Sequence, residues 1–297
     1  MSNSATETAP AQAVSIVIPA FNEQASIQSS IREVRQVMES AGLEYELIVV
    51  DDGSEDETAQ LAEAEDALVI RLPENSGYGA ALKAGIARSQ YELIAITDAD
   101  GTYPADQIPV LVRQIDGYDM VVGARIGNNV AIPTVRKPAK WFLGKLASYL
   151  AGRSIPDLNS GLRIMRKSLI RRTVHLLPQG FSFTTTITLS ALCSGSLVKY
   201  STIDYHQRTG QSKIRPTHAF DFLLLIIRTI VYFNPLKIFL PAGAVFFVAG
   251  VAKFIYDIYI GNLSESAILG VLGAIALWSV GLLSDQVAKV AMRGDNL

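Results

Sequence analysis

Glu46-Leu47-Ile48-Val49-Val50-Asp51-Asp52-Gly53-Ser54 is the stretch on which the fold of this chain turns. Three of its first five residues are β-branched, and the run ends at once in two carboxylates, a glycine and a serine. An apolar run without alternation fits a strand covered on both faces, and Asp-Asp-Gly-Ser has turn chemistry. The same layout recurs on either side. Val14 to Pro19 runs into Ala20-Phe21-Asn22-Glu23, and Glu92 to Thr97 runs into Asp98-Ala99-Asp100. Helical spacing fills the intervals: Ile27, Ile31, Val34 and Met38 within Ala25 to Ser40, a helix ending near Glu65, and another over Gly79 to Arg88. Ala67 to Arg71 reads as a third strand in chain order, Asp106 to Ile115 as a helix, and Asp119 to Gly123 as a fifth strand. This alternation predicts an α/β fold with a mostly parallel sheet. Ligands of such sheets bind beyond the carboxyl ends of the strands. The polar clusters after the first, second and fourth strands should therefore converge on one edge.

The section from Ile126 to Ile214 is mixed. A helix is expected over Lys140 to Ala151, with Trp141, Leu143, Leu146 and Leu150 as its apolar positions, and Gly180 to Leu192 begins as a loop and becomes a helix. The last third changes character. Phe220 to Phe233 reads as a helix lying in a membrane interface, and Asn234-Pro235 resembles a cap and a first helical position. Leu236 to Ile260 and Ala267 to Leu283 are two candidate spans joined by the short connector Gly261 to Ser266. Lys253 and Asp257 have the i, i+4 spacing of an ion pair near the far interface. Lys237, Lys289 and Arg293 flank the open side of this hairpin, which places both termini in the cytoplasm. The expected organisation is a disordered segment over residues 1–13, a catalytic domain over 14–216, an interfacial helix over 217–235 and a transmembrane hairpin over 236–290.

Composition agrees with a membrane-anchored chain. Of 297 residues 49% are hydrophobic and 18% charged, and the mean hydropathy is +0.26. A net charge of −2 leaves no footprint for nucleic acid. Cys193 is the single cysteine, in an apolar run, so no internal disulfide forms and it reads as packing. Met1 to Ala13 lacks the basic and apolar regions of a signal peptide.

Each motif has a plain reading and a chemical one. Asp98-Ala99-Asp100 can hold a divalent cation, since Mg²⁺ takes one or two carboxylates plus phosphate oxygens and water, although such pairs are common on surface loops. Asp51 and Asp52 can accept from a base or ribose, or form an Asx-turn and helix cap. Phe21 can stack on a base, and Glu23 can bond a base edge or cap the next helix. Asn75-Ser76-Gly77-Tyr78-Gly79 lets backbone approach a ligand at a helix start, where N–H groups favour anions.

In this order and number, these motifs resemble family-two glycosyltransferases of the GT-A fold. The branch they resemble most contains dolichol-phosphate mannose synthase and bacterial polyprenyl-phosphate glycosyltransferases. The resemblance covers about Val14 to Pro216, and the two-span tail suits membrane-anchored members. It implies nucleotide contacts from Pro19, Phe21, Glu23, Val50, Asp52 and Ala99, and a metal, Mg²⁺ or Mn²⁺, on Asp98 and Asp100; Asn75 and Gly77 join the expected nucleotide contacts through the ligand-approaching run they belong to. Gly123-Ala124-Arg125 resembles an element whose Arg approaches the phosphates. Asp157-Leu158-Asn159-Ser160-Gly161-Leu162-Arg163 resembles an acceptor-site element, which implies Ser160 and Arg163 on the acceptor phosphate. Arg208-Thr209-Gly210-Gln211-Ser212-Lys213 resembles a loop over the active site, implying Arg208, Lys213 and Ser212 there. Arg136, Lys137 and Lys140 are read as lipid headgroup contacts.

Two departures from the family pattern carry information. Thr102 stands where members often have Gln, and its hydroxyl is a poorer metal ligand. Gly180-Phe181-Ser182-Phe183-Thr184-Thr185-Thr186 has no carboxylate where relatives that glycosylate hydroxyls carry a base. A phosphate monoester, with a second pKa of about 6, is already ionised and needs no strong base. The expected reaction is therefore inverting transfer of a hexose to a polyprenyl phosphate at the cytoplasmic membrane face. A UDP-sugar is the favoured donor and GDP-mannose the alternative. A hydroxyl acceptor on a sugar or glycerolipid, or a nucleotide-sugar-binding scaffold without turnover, are the rival readings, and a homo-oligomer is a possible assembly.

Overall fold

The apolar runs become a seven-stranded sheet with order β3-β2-β1-β4-β6-β5-β7. The computed structural model describes residues 13–130, 137–206 and 218–294, leaving aside the side chains of residues 127–130, 137–140, 218–222 and 291–294. It divides into two compact units, Met1–Gly144 with Ile155–Pro216 and Lys145–Ser154 with Thr217–Leu297.

In the first unit the strands are β1 (Val14–Ala20), β2 (Tyr45–Asp51), β3 (Leu68–Arg71), β4 (Leu93–Ile96), β5 (Met120–Val130), β6 (Arg163–Arg166) and β7 (Val198–Tyr205). The helices are α1 (Ile27–Ala41), α2 (Thr58–Glu63), α3 (Tyr78–Arg88), α4 (Gln107–Arg113), α6 (Lys167–Thr173) and α7 (Phe183–Cys193), together with the start of α5 (Lys137–Ala151), whose residues from Lys145 on belong to the second unit. β6 runs antiparallel to both β4 and β5, and the other described pairings are parallel.

Side-chain parity assigns each strand residue to a layer. Ile16, Ile18, Leu47, Val49 and Ala95 pack under α1 and α4 with Ile27, Ile31, Met38 and Leu111. Val17, Ile48, Val50, Ile94 and Ile96 face α3 and α7 with Leu82, Phe183 and Ile187. Burial of each such side chain contributes about 1.5–3 kcal/mol. Two strands escape a sequence reading for local reasons. β6 is four residues long and begins and ends in arginine, whereas β7 is an edge strand with only Ile203 buried.

The second unit holds α8 (His218–Phe233), α9 (Leu236–Ile260) and α10 (Glu265–Gly294). Leu236–Ile260 and Glu265–Val290, 25 and 26 residues long and each containing an 18-residue stretch of mean hydropathy 2.1, are long and apolar enough to cross a membrane by length and composition. At 1.5 Å per residue either exceeds a hydrocarbon core of about 30 Å. They form an antiparallel hairpin. Phe247 meets Trp278 with ring centroids 5.5 Å apart, and Trp278 Nε1 donates to the Leu240 carbonyl at 3.2 Å. The backbones touch at Gly250, where a Cβ would lie 2.8 Å from Val271 N. Val245, Val248, Ile255, Leu269, Leu272 and Leu283 point outward. At the turn, Gly261 adopts φ +68° and the buried Asp257 carboxylate accepts from Lys253 Nζ and from Ser264 N and Oγ. The expected Lys253–Asp257 pair is present, and it caps the hairpin.

Candidate active site

The loops after β1, β2 and β3 are locked together by hydrogen bonds between segments far apart in sequence. Asn22, with φ +54°, donates its N–H to Ser54 Oγ at 2.9 Å and accepts from Glu55 N at 2.9 Å. Glu23 N donates to Thr58 Oγ1 at 2.8 Å, and Asp52 N to the Ala20 carbonyl at 2.8 Å. Asp51 Oδ1 accepts from Ser54 N at 3.2 Å, closing the turn. The Asp52 carboxylate accepts from Ser76 N at 2.8 Å on one oxygen and from Gly77 N at 2.9 Å on the other. Asp52 is 4% exposed and so builds the loop that carries Asn75 and Gly77. Glu23 accepts from Ser26 at the start of α1, while Phe21 lies half-buried at the strand end and Pro19 is buried within β1. Val50 points into the layer under α3, so its side chain is turned away from the strand-end edge.

Asp98 and Asp100 follow β4. Tyr78 Oη donates to Asp98 Oδ1 at 3.0 Å. Burial, reinforced by the Asp98 charge, pushes the Tyr78 phenol well above its ordinary pKa, so it keeps its proton and remains a donor. Gly161 packs against Asp98 so closely that a Cβ there would lie 2.9 Å from Oδ2. Asp100 Oδ1 accepts from Thr102 Oγ1 at 2.6 Å and from Thr102 N at 3.1 Å. The Thr102 hydroxyl, wholly buried, is thus committed to orienting Asp100. Ala99 is buried and its carbonyl accepts from Ser30 Oγ at 2.8 Å. Among the described residues no cluster of three His, Cys, Asp or Glu side chains could hold a metal. Two hard carboxylate donors nevertheless fit a cation that keeps waters and phosphate oxygens in its shell.

The third wall is a buried ion pair. Arg125 Nε and Nη2 donate to Asp157 Oδ2 at 2.7 Å and Oδ1 at 2.9 Å, with Arg125 N adding a bond of 3.1 Å. The guanidinium stacks over the Tyr205 ring, 5.1 Å from its centroid, and Tyr205 meets Tyr103 edge-on. Tyr103 Oη in turn accepts from Gly161 N at 2.6 Å. Burial acts to lower the Arg125 pKa, but Tyr103, Asp157 and Tyr205 outweigh it and the guanidinium stays charged.

Two residues read as acceptor contacts take other roles. Arg163 is fully buried. It donates to the Ser160 carbonyl, to the Thr184 carbonyl at 3.1 Å and to Thr188 Oγ1 at 2.9 Å. Ser160, also fully buried, donates to the Gly123 carbonyl at 2.5 Å. Both side chains face inward because their hydrogen-bond partners lie on β5 and α7, so they hold the acceptor-side loop to its supports. Asn159 joins them by accepting from Thr185 Oγ1 at 2.6 Å. Arg208, Ser212 and Lys213 lie outside the described residues, as does Arg136, and the side chains of Lys137 and Lys140 are likewise outside. The residue before that stretch, His206, donates its N–H to the Thr102 carbonyl at 2.9 Å. Tyr78 and Asp157 stand within runs the sequence singles out, Asn75-Ser76-Gly77-Tyr78-Gly79 and Asp157 to Arg163, whereas Tyr103 and Tyr205 belong to no motif. Tyr103 is marked by its place just after the Asp98-Ala99-Asp100 run.

Residues 15–174 match the family model described as glycosyl transferase family 2. The chain belongs to glycosyl transferase family 2. Residues 234–290 match a second model, the GtrB C-terminal hairpin. Structures of glucosyl-3-phosphoglycerate synthase from Mycobacterium tuberculosis share the fold of this family 2 chain. The complex with Mn²⁺, UDP and phosphoglyceric acid superposes with a TM-score of 0.59 at 20% identity, covering 74% of this chain and 78% of that one. The complex with Mg²⁺ and UDP gives 0.59 at 21% identity, covering 74% and 79%. The complex with phosphoglyceric acid gives 0.60 at 22% identity, covering 74% and 80%. The chain is thus a nucleotide-sugar-dependent glycosyltransferase with a GT-A sheet and a C-terminal apolar hairpin.

Proposed function

We propose that this chain transfers a hexose from a nucleoside diphosphate sugar to a polyprenyl phosphate, with inversion, at the cytoplasmic face of a membrane. The observation that carries the acceptor class is the GtrB-type hairpin behind a family 2 domain. Helix α5 supports the membrane seat. Its exposed residues Trp141, Phe142, Lys145 and Tyr149 fall on one side, an aromatic and basic face suited to lipid headgroups. Its C-terminal end is tied to the first turn of α9, where Lys237 Nζ donates to the Leu150 carbonyl at 2.8 Å. Lys237, Lys289 and Arg293 at the open end of the hairpin favour the cytoplasmic side.

In this reading Asp98 and Asp100 hold a divalent cation, Mg²⁺ or Mn²⁺, which when bound offsets the charge of the departing diphosphate. The loops carrying Phe21, Asn75 and Gly77 bind the nucleotide, with Asp52 setting the 74–77 turn. UDP in the related M. tuberculosis structures favours a uridine donor. Arg125, held flat by Asp157, presents its fixed charge beside the Asp98 loop. Arg208, Ser212 and Lys213 are assigned to the acceptor phosphate, to which Arg offers bidentate bonds and Lys a point charge. A phosphate oxygen attacks the anomeric carbon from the face opposite the leaving group. The new C–O bond forms as the bond to the nucleoside diphosphate breaks, and the diphosphate takes the electron pair. No proton need be removed, which suits residues 180–186, where Thr185 faces Asn159 and no side chain is a carboxylate.

The test is radiolabel transfer to undecaprenyl phosphate in detergent, offering UDP-glucose, UDP-galactose, UDP-N-acetylglucosamine and GDP-mannose with Mn²⁺ or Mg²⁺. A lipid-soluble product from one donor, lost in Asp100→Ala, is the expected result. Saturable nucleotide binding without product from any donor would overturn the polyprenyl-phosphate assignment and favour a hydroxyl acceptor.

A further inference from the structure

Tyr78 is fixed on every side. It is the first residue of α3, directly after Gly77, whose N–H is held by Asp52 Oδ2. Gly77 has φ +101°, and a Cβ there would lie 2.7 Å from the Gln179 carbonyl. Ala80 N donates to that same carbonyl at 2.9 Å. The start of α3 is thereby pressed against residues 178–180, and the Tyr78 backbone has little room to move. Its ring stacks on Phe181 at 5.7 Å and 18°. With both ends set, the phenol reaches Asp98 Oδ1 at 3.0 Å. Phe181 is half exposed and belongs to the acidic-free segment just before α7.

We propose that Tyr78 is a positioning residue for the cation site: its hydroxyl fixes the Asp98 carboxylate, and its stacking on Phe181 ties that carboxylate to the 180–186 segment. The inference rests on the reading above that Asp98 meets the cation. The terminal torsion of a carboxylate is soft, and the hydrogen bond donated by Tyr78 favours one orientation of Asp98 before the cation arrives. Outer-shell hydrogen bonds of this kind change metal affinity or activity by about 10–100-fold when removed.

The experiment is direct Mn²⁺ binding to the full chain in detergent, with UDP present, followed by the electron paramagnetic resonance signal of free Mn²⁺. Tyr78→Phe keeps the ring and its stacking and removes only the donor. It should weaken Mn²⁺ binding about tenfold while leaving the thermal midpoint near wild type. Phe181→Leu retains the hydroxyl and loosens the ring, and should weaken binding in the same direction by about threefold. Asp98→Asn should abolish specific binding. If Tyr78→Phe and Phe181→Leu stay within about twofold of wild type while Asp98→Asn loses the ion, the positioning role is overturned and the assignment of Asp98 stands. If Asp98→Asn also binds as wild type does, or wild type binds no Mn²⁺, both are overturned.

Discussion

Replacing Asp157 by Asn keeps the shape of the side chain and removes the charge opposite Arg125. Four N–H groups converge on this carboxylate: Arg125 N, Nε and Nη2, and Asn159 N at 3.3 Å. The Asn amide offers one oxygen, and its NH₂ faces donors on the other side. The pair is nearly dry, with side-chain exposures of 14% for Arg125 and 1% for Asp157. Surface screening therefore gives little relief, and breaking such a pair from one side costs about 3–5 kcal/mol because a buried charge loses its partner. For a unit of this size, with about 2–4 °C of midpoint per kcal/mol, the expected fall is about 6–20 °C. The assay is far-ultraviolet circular dichroism on heating in detergent, with sugar transfer measured alongside. Arg125→Met combined with Asp157→Leu replaces both charges with apolar groups and should recover most of the midpoint. Transfer should stay lost in that double variant, since no guanidinium remains beside the Asp98 loop. A single Asp157→Asn variant that melts within about 2 °C of wild type, or a double variant no more stable than the single one, would refute this account of the third wall.

Two further outcomes follow from the geometry. Asp56 joins the first two loops through Thr58 and Gln24, and although burial acts to raise its pKa, those hydrogen bonds outweigh it and hold it below the ordinary aspartate value. A lowered folded pKa means stability that is present above the unfolded value and lost as pH falls through the folded one. Wild type and Asp56→Asn should thus differ in midpoint at pH 6 and converge as pH falls below the ordinary aspartate value, and a difference that stays constant into acid would count against the carboxylate as the cause. In the hairpin, Gly250→Leu must push α9 from α10, since a Cβ already comes within 2.8 Å of the Val271 backbone. Cysteines introduced at Phe247 and Trp278, after Cys193→Ser, should cross-link readily in an otherwise wild-type hairpin and poorly beside Gly250→Leu. Equal cross-linking would show that the helices do not touch there.

The layered fold, the edge where the polar turns gather and the apolar hairpin were legible in the sequence alone. Those features rest on local periodicity: runs such as Ile16-Val17-Ile18 and Ile48-Val49-Val50 can only be strands covered on both faces, and each ends in a polar turn. The two long apolar helices are a matter of length and composition. What the sequence could not decide was the direction of individual side chains within a motif. Asp52, Ser160 and Arg163 have the chemistry of ligand contacts, yet the tertiary structure spends their hydrogen bonds on Gly77, Gly123 and Thr188. Val50 stands next to the Asp51-Asp52 turn, but sheet parity turns it under α3. β6 entered the sheet without a local signal because its partners, β4 and β5, supply the pairing. Tyr78 and Asp98, twenty residues apart, meet only because α3 starts where β4 ends. Local sequence fixes which elements form and which polar groups gather at an edge. Which of those groups face a ligand, and which hold the others still, depends on partners that only chain folding brings within hydrogen-bond distance.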